Sequence, residues 1–150
     1  MIIFLFGRSG SGKSAIVQNL IPRLTAGEEI DAEKLIKKLI CGQYKFMKKP
    51  VFVTSTAPTK DHRDIFHNTI KGFTGLSDKT FSVYVHASQD VCEYRLRNES
   101  RPKLPHNPLS FEEPEPDEFD LMLRTEAEDV EKNAGFLGLF TMSRYEEIHK

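Results

Sequence analysis

The sequence predicts an α/β layered domain on a mostly parallel sheet, and three observations predict it. Strand-like and helix-like stretches alternate along the chain, the first strand is apolar throughout, and a glycine-rich turn joins that strand to the first helix. With 150 residues, the chain is the size of one compact domain, taken here as residues 1–150.

Each element follows from residue pattern. Met1–Phe6 is a continuous apolar run with β-branched and aromatic members, as a strand covered on both faces requires. Ile16, Val17, Leu20, Ile21 and Leu24 recur at helical spacing, so a first helix starts near Lys13 and ends around Pro22–Leu24. Glu28–Asp31 reads as a short second strand, and Leu35, Ile36, Leu39 and Ile40 mark a second amphipathic helix. Val51–Ser55 is a third strand by its β-branched content. Thr59 or Asp61 caps a third helix holding Ile65, Phe66 and Ile70. Phe81–Val85 is the fourth strand, and Ser88 caps a helix through Val91, Tyr94 and Arg95. Five prolines between Asn98 and Asp117 rule out a regular helix there, and so long an irregular stretch suits a lid. Phe119, Leu121 and Leu123 alternate with Asp120, Met122 and Arg124 in a fifth strand. Thr125 and Glu128 have the spacing of a capping box for the last helix.

Composition narrows the function classes. A net charge of −1 supplies no global positive field for nucleic acid or an anionic membrane, which disfavours both as partners. Cys41 and Cys92 lie far apart without a CxxC pairing, as reduced cytoplasmic thiols do. The apolar run before Gly7 is too short for a signal peptide or a membrane span. The five histidines show no metal-ligand spacing. Oligomeric state is not encoded in any pattern of this kind.

The chemistry is concentrated at Gly7-Arg8-Ser9-Gly10-Ser11-Gly12-Lys13-Ser14, which fits G-x-x-x-x-G-K-[ST] without a mismatch. Gly7, Gly10 and Gly12 let the backbone turn tightly and bring N–H groups close to phosphate oxygens. The helix that follows aims its N-terminus at the same anion. Lys13 reaches the β- and γ-phosphates of ATP, and the Ser14 hydroxyl is the expected Mg²⁺ ligand. Asp31 lies where the second strand ends, at the open end of the sheet where α/β proteins place ligands, and Asp equally suits the N-cap of the next helix.

Several further blocks fall in a recognisable order. They are the Asp31 region, Ala57-Pro58 with Asp61 and Arg63, and Val83-Tyr84-Val85 with Cys92-Glu93-Tyr94-Arg95. Phe111-Glu112-Glu113-Pro114-Glu115-Pro116 and Asp120-Leu121-Met122-Leu123-Arg124-Thr125 complete the series. The series resembles the adenylylsulfate kinases, whose blocks read GxSGSGKS, LDGD, SPxRxxR, VYVxxxxxxCExR and YExPExPDLxLDT. That resemblance implies a three-layer P-loop NTPase fold, with five parallel strands between helices. It also implies transfer of the ATP γ-phosphoryl group to the 3′-hydroxyl of adenylyl sulfate. By the same resemblance Ser9 and Ser11 join the nucleotide-binding loop. Asp31 orients or deprotonates the acceptor, and Glu33 stands at the second acid of LDGD. Arg63 binds the acceptor, Arg95 leads into the lid and stabilises charge on the transferred group as a catalytic residue, and Thr125 lies beside the adenine. Three departures are plain. Ile36 stands where the family has an arginine, and the acceptor-binding stretch is shortened to about Cys41–Lys49. Arg97, Arg101 and Lys103 replace the family's basic lid. Other acceptors therefore stay open (a nucleoside, a polynucleotide end or a modified DNA base), as does a nucleotide-binding module without turnover.

Overall fold

The computed structural model describes residues 1–24, 26–42, 50–73, 80–98 and 111–148. In chain order these form β1 (Ile2–Phe6), α1 (Lys13–Leu20), β2 (Glu28–Asp31), α2 (Ala32–Ile40), β3 (Val51–Ser55) and α3 (Lys60–Lys71). They continue with β4 (Thr80–His86), α4 (Gln89–Arg97), β5 (Leu121–Arg124) and α5 (Val130–Ile148). The five strands make one sheet in the order β2-β3-β1-β4-β5, and every pairing is parallel. The α/β reading of the sequence holds.

Alternation along β1 explains the three layers. Ile2, Phe4 and Phe6 face one side, where they pack with Leu35 and Leu39 of α2 and Phe66 and Ile70 of α3. Ile3 and Leu5 face the other, against Ile16, Val17 and Leu20 of α1 and Ala134 and Leu137 of α5. All five β1 side chains are fully buried, so a strand that looked uniformly apolar in sequence is covered on both faces. Because β1 lies between β3 and β4, the chain leaves it toward β2 and later crosses over it to reach β4. This reversal opens a crevice at the C-terminal strand ends, and the glycine-rich turn emerges there.

Local physics shifts some boundaries. α1 stops at Leu20 and gives way to a 3₁₀ turn over Ile21–Arg23, because Pro22 cannot supply an α-helical N–H bond. Thr59, rather than Asp61, caps α3 by accepting from the His62 N–H. Ile40, Ile65 and Tyr94 are largely exposed although the helical pattern assigned each to a buried stripe. β5 begins only at Leu121; Asp120 instead exchanges hydrogen bonds with Ser82 on β4. The predicted capping box at Thr125 and Glu128 does not form. Asp129 caps α5, its Oδ1 accepting from the Lys132 N–H at 2.8 Å, and Thr125 is drawn elsewhere. No helix among the described residues is long and apolar enough to cross a membrane.

Candidate functional site

The turn from β1 into α1 is shaped by close backbone approach. A Cβ on Gly7 would stand 2.3 Å from the Val85 carbonyl oxygen, so only glycine lets β1 leave the sheet there. Gly10 and Gly12 have φ of +83° and +102°, the left-handed region that glycine enters freely. Gly12 occupies the N-cap of α1 and offers no side chain, so the first N–H groups of the helix face outward unsatisfied. Such a turn presents backbone donors to an anion.

Lys13 lies folded over this turn. Its Nζ donates to the carbonyls of Gly7 and Arg8, each at 2.9 Å, and to Ser11 Oγ at 3.3 Å. Enclosure pushes the ammonium down to a pKa of about 8, against a small opposing effect of Cys92. Cys92 itself is buried, and that burial raises its thiol pKa, which disfavours a nucleophilic role. Cys41 and Cys92 form no disulfide.

A cavity of about 610 Å³ opens beside the turn. Gly10, Gly12, Lys13 and Ser14 line it together with Asp31, Thr54, Ser55 and Thr56. Gln18, Leu96 and Asn98 also reach it. Asp31 is brought there by the pairing of β2 with β3, which sets it opposite Thr54. It also caps α2: Oδ1 accepts from the N–H groups of Glu33, at 2.9 Å, and Lys34, at 3.4 Å. Oδ2 makes no hydrogen bond among the described residues, so the carboxylate serves as cap and cavity wall together. Glu33 sits exposed on the first turn of α2 and does not line the cavity.

Arg95 and Thr125 hold the turn from behind. Arg95 Nη1 donates to the carbonyls of Gly10 and Ser11, both at 3.2 Å, and to Thr125 Oγ1 at 3.0 Å. Its Nη2 donates to the Thr125 carbonyl at 3.1 Å. The Thr125 hydroxyl donates in turn to the Ser11 carbonyl at 2.7 Å. The Ser11 N–H donates to the Arg8 carbonyl at 3.0 Å, so Ser11 is held through both its N–H and its carbonyl.

Arg63 departs from its expected position on the acceptor. It is only 2 % exposed; Nε donates to Glu118 at 3.1 Å and Nη1 to the Ala57 carbonyl at 2.9 Å. Its guanidinium lies over the rings of Phe6 and Phe111, at 5.1 and 5.7 Å. Burial of Glu118 opposes ionisation, but the Glu115 N–H and Arg63 together hold its carboxyl below the usual range. Ala57 has φ +40°, a costly conformation for a residue with a Cβ, and this aims its carbonyl at Arg63.

The structure thus brings Asp31 to Ser9, Gly10, Gly12, Lys13 and Ser14, sets Arg95 and Thr125 behind them, and leaves Glu33 and Arg63 off the cavity wall. Sequence reasoning missed Thr54, Ser55 and Thr56. A run of hydroxyls at the end of a strand otherwise made of buried apolar residues was the available signal. Lid positions 99–110, including Arg101 and Lys103, and positions 43–49 lie outside the described residues. Among the described residues no cluster of three or more His, Cys, Asp or Glu side chains is arranged to hold a metal.

No protein-family model matches this chain, and no curated protein sequence does. Solved structures match over nearly its whole length. A gluconokinase from Sinorhizobium meliloti superposes with a TM-score of 0.61 at 18% identity, covering 99% of this chain and 96% of its own. A shikimate kinase from Bacteroides thetaiotaomicron gives 0.58 at 14%, covering 95% and 98%. The APS kinase of Mycobacterium tuberculosis, solved with AMPPNP and APS, gives 0.57 at 17%, covering 91% and 94%. At such identities the likeness is one of fold, and that fold is the three-layer P-loop arrangement with its five-stranded parallel sheet.

Proposed function

We propose that this protein is an ATP-dependent kinase that moves the γ-phosphoryl group to a hydroxyl of a small molecule. One observation carries the reading: the Asp31 carboxylate shares a single cavity with Lys13 and Ser14 of the phosphate motif. The fold shared with gluconokinase, shikimate kinase and APS kinase supports it.

In this reading the N–H groups of Gly10, Gly12, Lys13 and Ser14 and the Lys13 ammonium hold the β- and γ-phosphates and neutralise charge as it develops. Asp31 accepts the acceptor's O–H and holds its oxygen in line with the γ-phosphorus. That oxygen bonds to phosphorus as the bond to the β,γ-bridging oxygen breaks; ADP leaves, and the hydroxyl proton passes to Asp31 or solvent. The Ser14 hydroxyl and Asp31 are hard oxygen donors on one cavity, a set that suits Mg²⁺ in such sites. When bound, that ion supplies charge neutralisation between the phosphates. Arg95 and Thr125 act on the turn's shape. The sequence series names the 3′-hydroxyl of adenylyl sulfate as acceptor, but the arginine meant to hold that acceptor, Arg63, is engaged by Glu118 and Ala57. Two unpaired thiols suit a cytoplasmic setting.

Transfer of label from γ-labelled ATP to adenylyl sulfate, nucleosides, sugars and nucleic-acid ends tests the reading. Product with at least one acceptor is expected, and it should vanish in Lys13→Ala and fall steeply in Asp31→Asn. Intact ATP binding with no labelled acceptor in any lane would sink it.

A further inference from the structure

We propose that this protein pairs with a second copy of itself through the outer face of α5, the two helices running antiparallel about a two-fold axis at Leu139. The cavity beside the phosphate turn takes no part in this contact, so the inference stands apart from the kinase reading.

The inner side of α5 is fully employed. Ala134 and Leu137 pack with α1 and the sheet, and a Cβ on Gly138 would stand 3.0 Å from Leu20 Cδ1. The opposite side carries large apolar side chains: Leu139 is 71 % exposed, Met142 56 % and Phe136 45 %. At about 100° per residue, these three share one stripe with Lys132, Gly135, Ser143 and Glu146. A single exposed hydrophobe needs no explanation, whereas three on one helix face form a patch suited to a partner. Gly135 adds to this. Among the described residues nothing stands within 4 Å of where its Cβ would lie, so the chain's own packing does not ask for glycine there. Glycine inside a helix is costly, and a second helix crossing at that point gains close approach from it.

The order of residues along the stripe selects the partner. Counted from Leu139, the other six positions fall at −7, −4, −3, +3, +4 and +7, so the spacing is palindromic. Laid antiparallel on a second copy, Leu139 meets Leu139 and Gly135 meets Ser143, both small. Phe136 meets Met142, a favourable contact of ring and sulfur. Lys132 of each copy meets Glu146 of the other, so the ion pair occurs twice. A parallel arrangement would set Lys132 on Lys132 and Glu146 on Glu146, and charge therefore picks the antiparallel one. Lys132 already lies 3.1 Å from Glu128 on its own helix, but its side chain is largely exposed and an ammonium has three donors, so it can take a second carboxylate. Spacing, size and charge that all mirror about one residue are what an isologous contact requires. Residues 132–146 span about 21 Å of helix. That is a smaller contact than the roughly 800 Å² per partner of a standard interface, so the dimer should dissociate in the micromolar range.

Sedimentation equilibrium of the full chain between about 5 and 500 µM tests this. The average mass of the unaltered protein should climb from the monomer toward twice that value. Leu139→Glu puts two carboxylates on the axis and should stay monomeric throughout, with its circular dichroism unchanged because the side chain is exposed. Lys132→Glu and Glu146→Lys should each raise the dissociation constant about tenfold or more alone. Their equimolar mixture should regain the unaltered affinity, since each then offers the charge that the other lacks. An unaltered protein that is monomeric across the range overturns the proposal. So does a Leu139→Glu protein that dimerises like the unaltered chain, because the contact then lies elsewhere. Charge variants that each dimerise normally, or a mixture that does not recover, overturn the antiparallel register.

Discussion

Replacing Arg95 by methionine is predicted to weaken ADP and ATP to the same extent. Methionine keeps an unbranched apolar stem and removes every bond of the guanidinium: those to Gly10 O, Ser11 O and Thr125 Oγ1 from Nη1, and that to Thr125 O from Nη2. A hydrogen bond from a charged donor contributes roughly 1.5–3 kcal/mol, but three of these share one nitrogen and the group is only part-buried. A combined loss of about 2–4 kcal/mol is therefore reasonable. If half of it falls on the shape of the phosphate turn and half on general stability, the dissociation constant of either nucleotide rises about 5- to 30-fold. Competition binding with a fluorescent nucleotide, run separately for ADP and ATP, measures this directly. The logic turns on ADP, which has no γ-phosphate. An arginine that touched only the transferred group would leave ADP affinity unchanged and lower kcat, and that result would refute the positioning role. Thr125→Val supplies the cross-check. Because Thr125 Oγ1 joins Arg95 to the Ser11 carbonyl, the double variant should lose less than the two singles combined, with a coupling of about 0.5–3 kcal/mol.

Three further outcomes are expected. Gly7→Ala puts a Cβ 2.3 Å from the Val85 carbonyl, which is backbone of a central strand and cannot retreat; a cost of roughly 1–3 kcal/mol or more is predicted, read as a lower Tm, and an unchanged Tm would contradict the geometry. Lys13, with its pKa lowered to about 8 by burial, binds fewer protons in the free folded chain than in the unfolded one between about pH 8 and 10.5, so it contributes stability that increases with pH across that window. Nucleotide phosphates favour the charged ammonium, so binding near pH 8–9 should take up a proton and affinity should fall as pH rises further. Calorimetry in buffers of different protonation enthalpy detects that proton, and a binding enthalpy independent of buffer would count against it.

The parts of this protein legible in its sequence are those governed by local rules. An apolar run, a glycine motif and helical spacing are encoded within a few residues, so β1, the phosphate turn and the order of strands and helices could be read directly. β3 fell on the observed Val51–Ser55 because its β-branched content is a local property. The motif's glycines announced a tight turn for the same reason, and Gly10 and Gly12 make it with left-handed backbone. Where several parts of the chain compete for one group, local rules stop deciding. Thr125 has a reasonable capping-box spacing with Glu128, yet it gives its hydroxyl to Ser11, 114 positions earlier, and Asp129 caps the helix. Arg63 sits at the start of an amphipathic helix, where a solvated or ligand-facing role was natural. Only the folded chain brings Glu118, 55 positions away, within 3.1 Å of it, in a pocket closed by Phe6 and Phe111. The phosphate turn, built from one continuous segment, was therefore readable before the fold was known. The facing residues come from the ends of β2 and β3, and the nearby pairs of Arg63 with Glu118 and Arg8 with Glu113 join distant parts of the chain, so both exist only after tertiary packing.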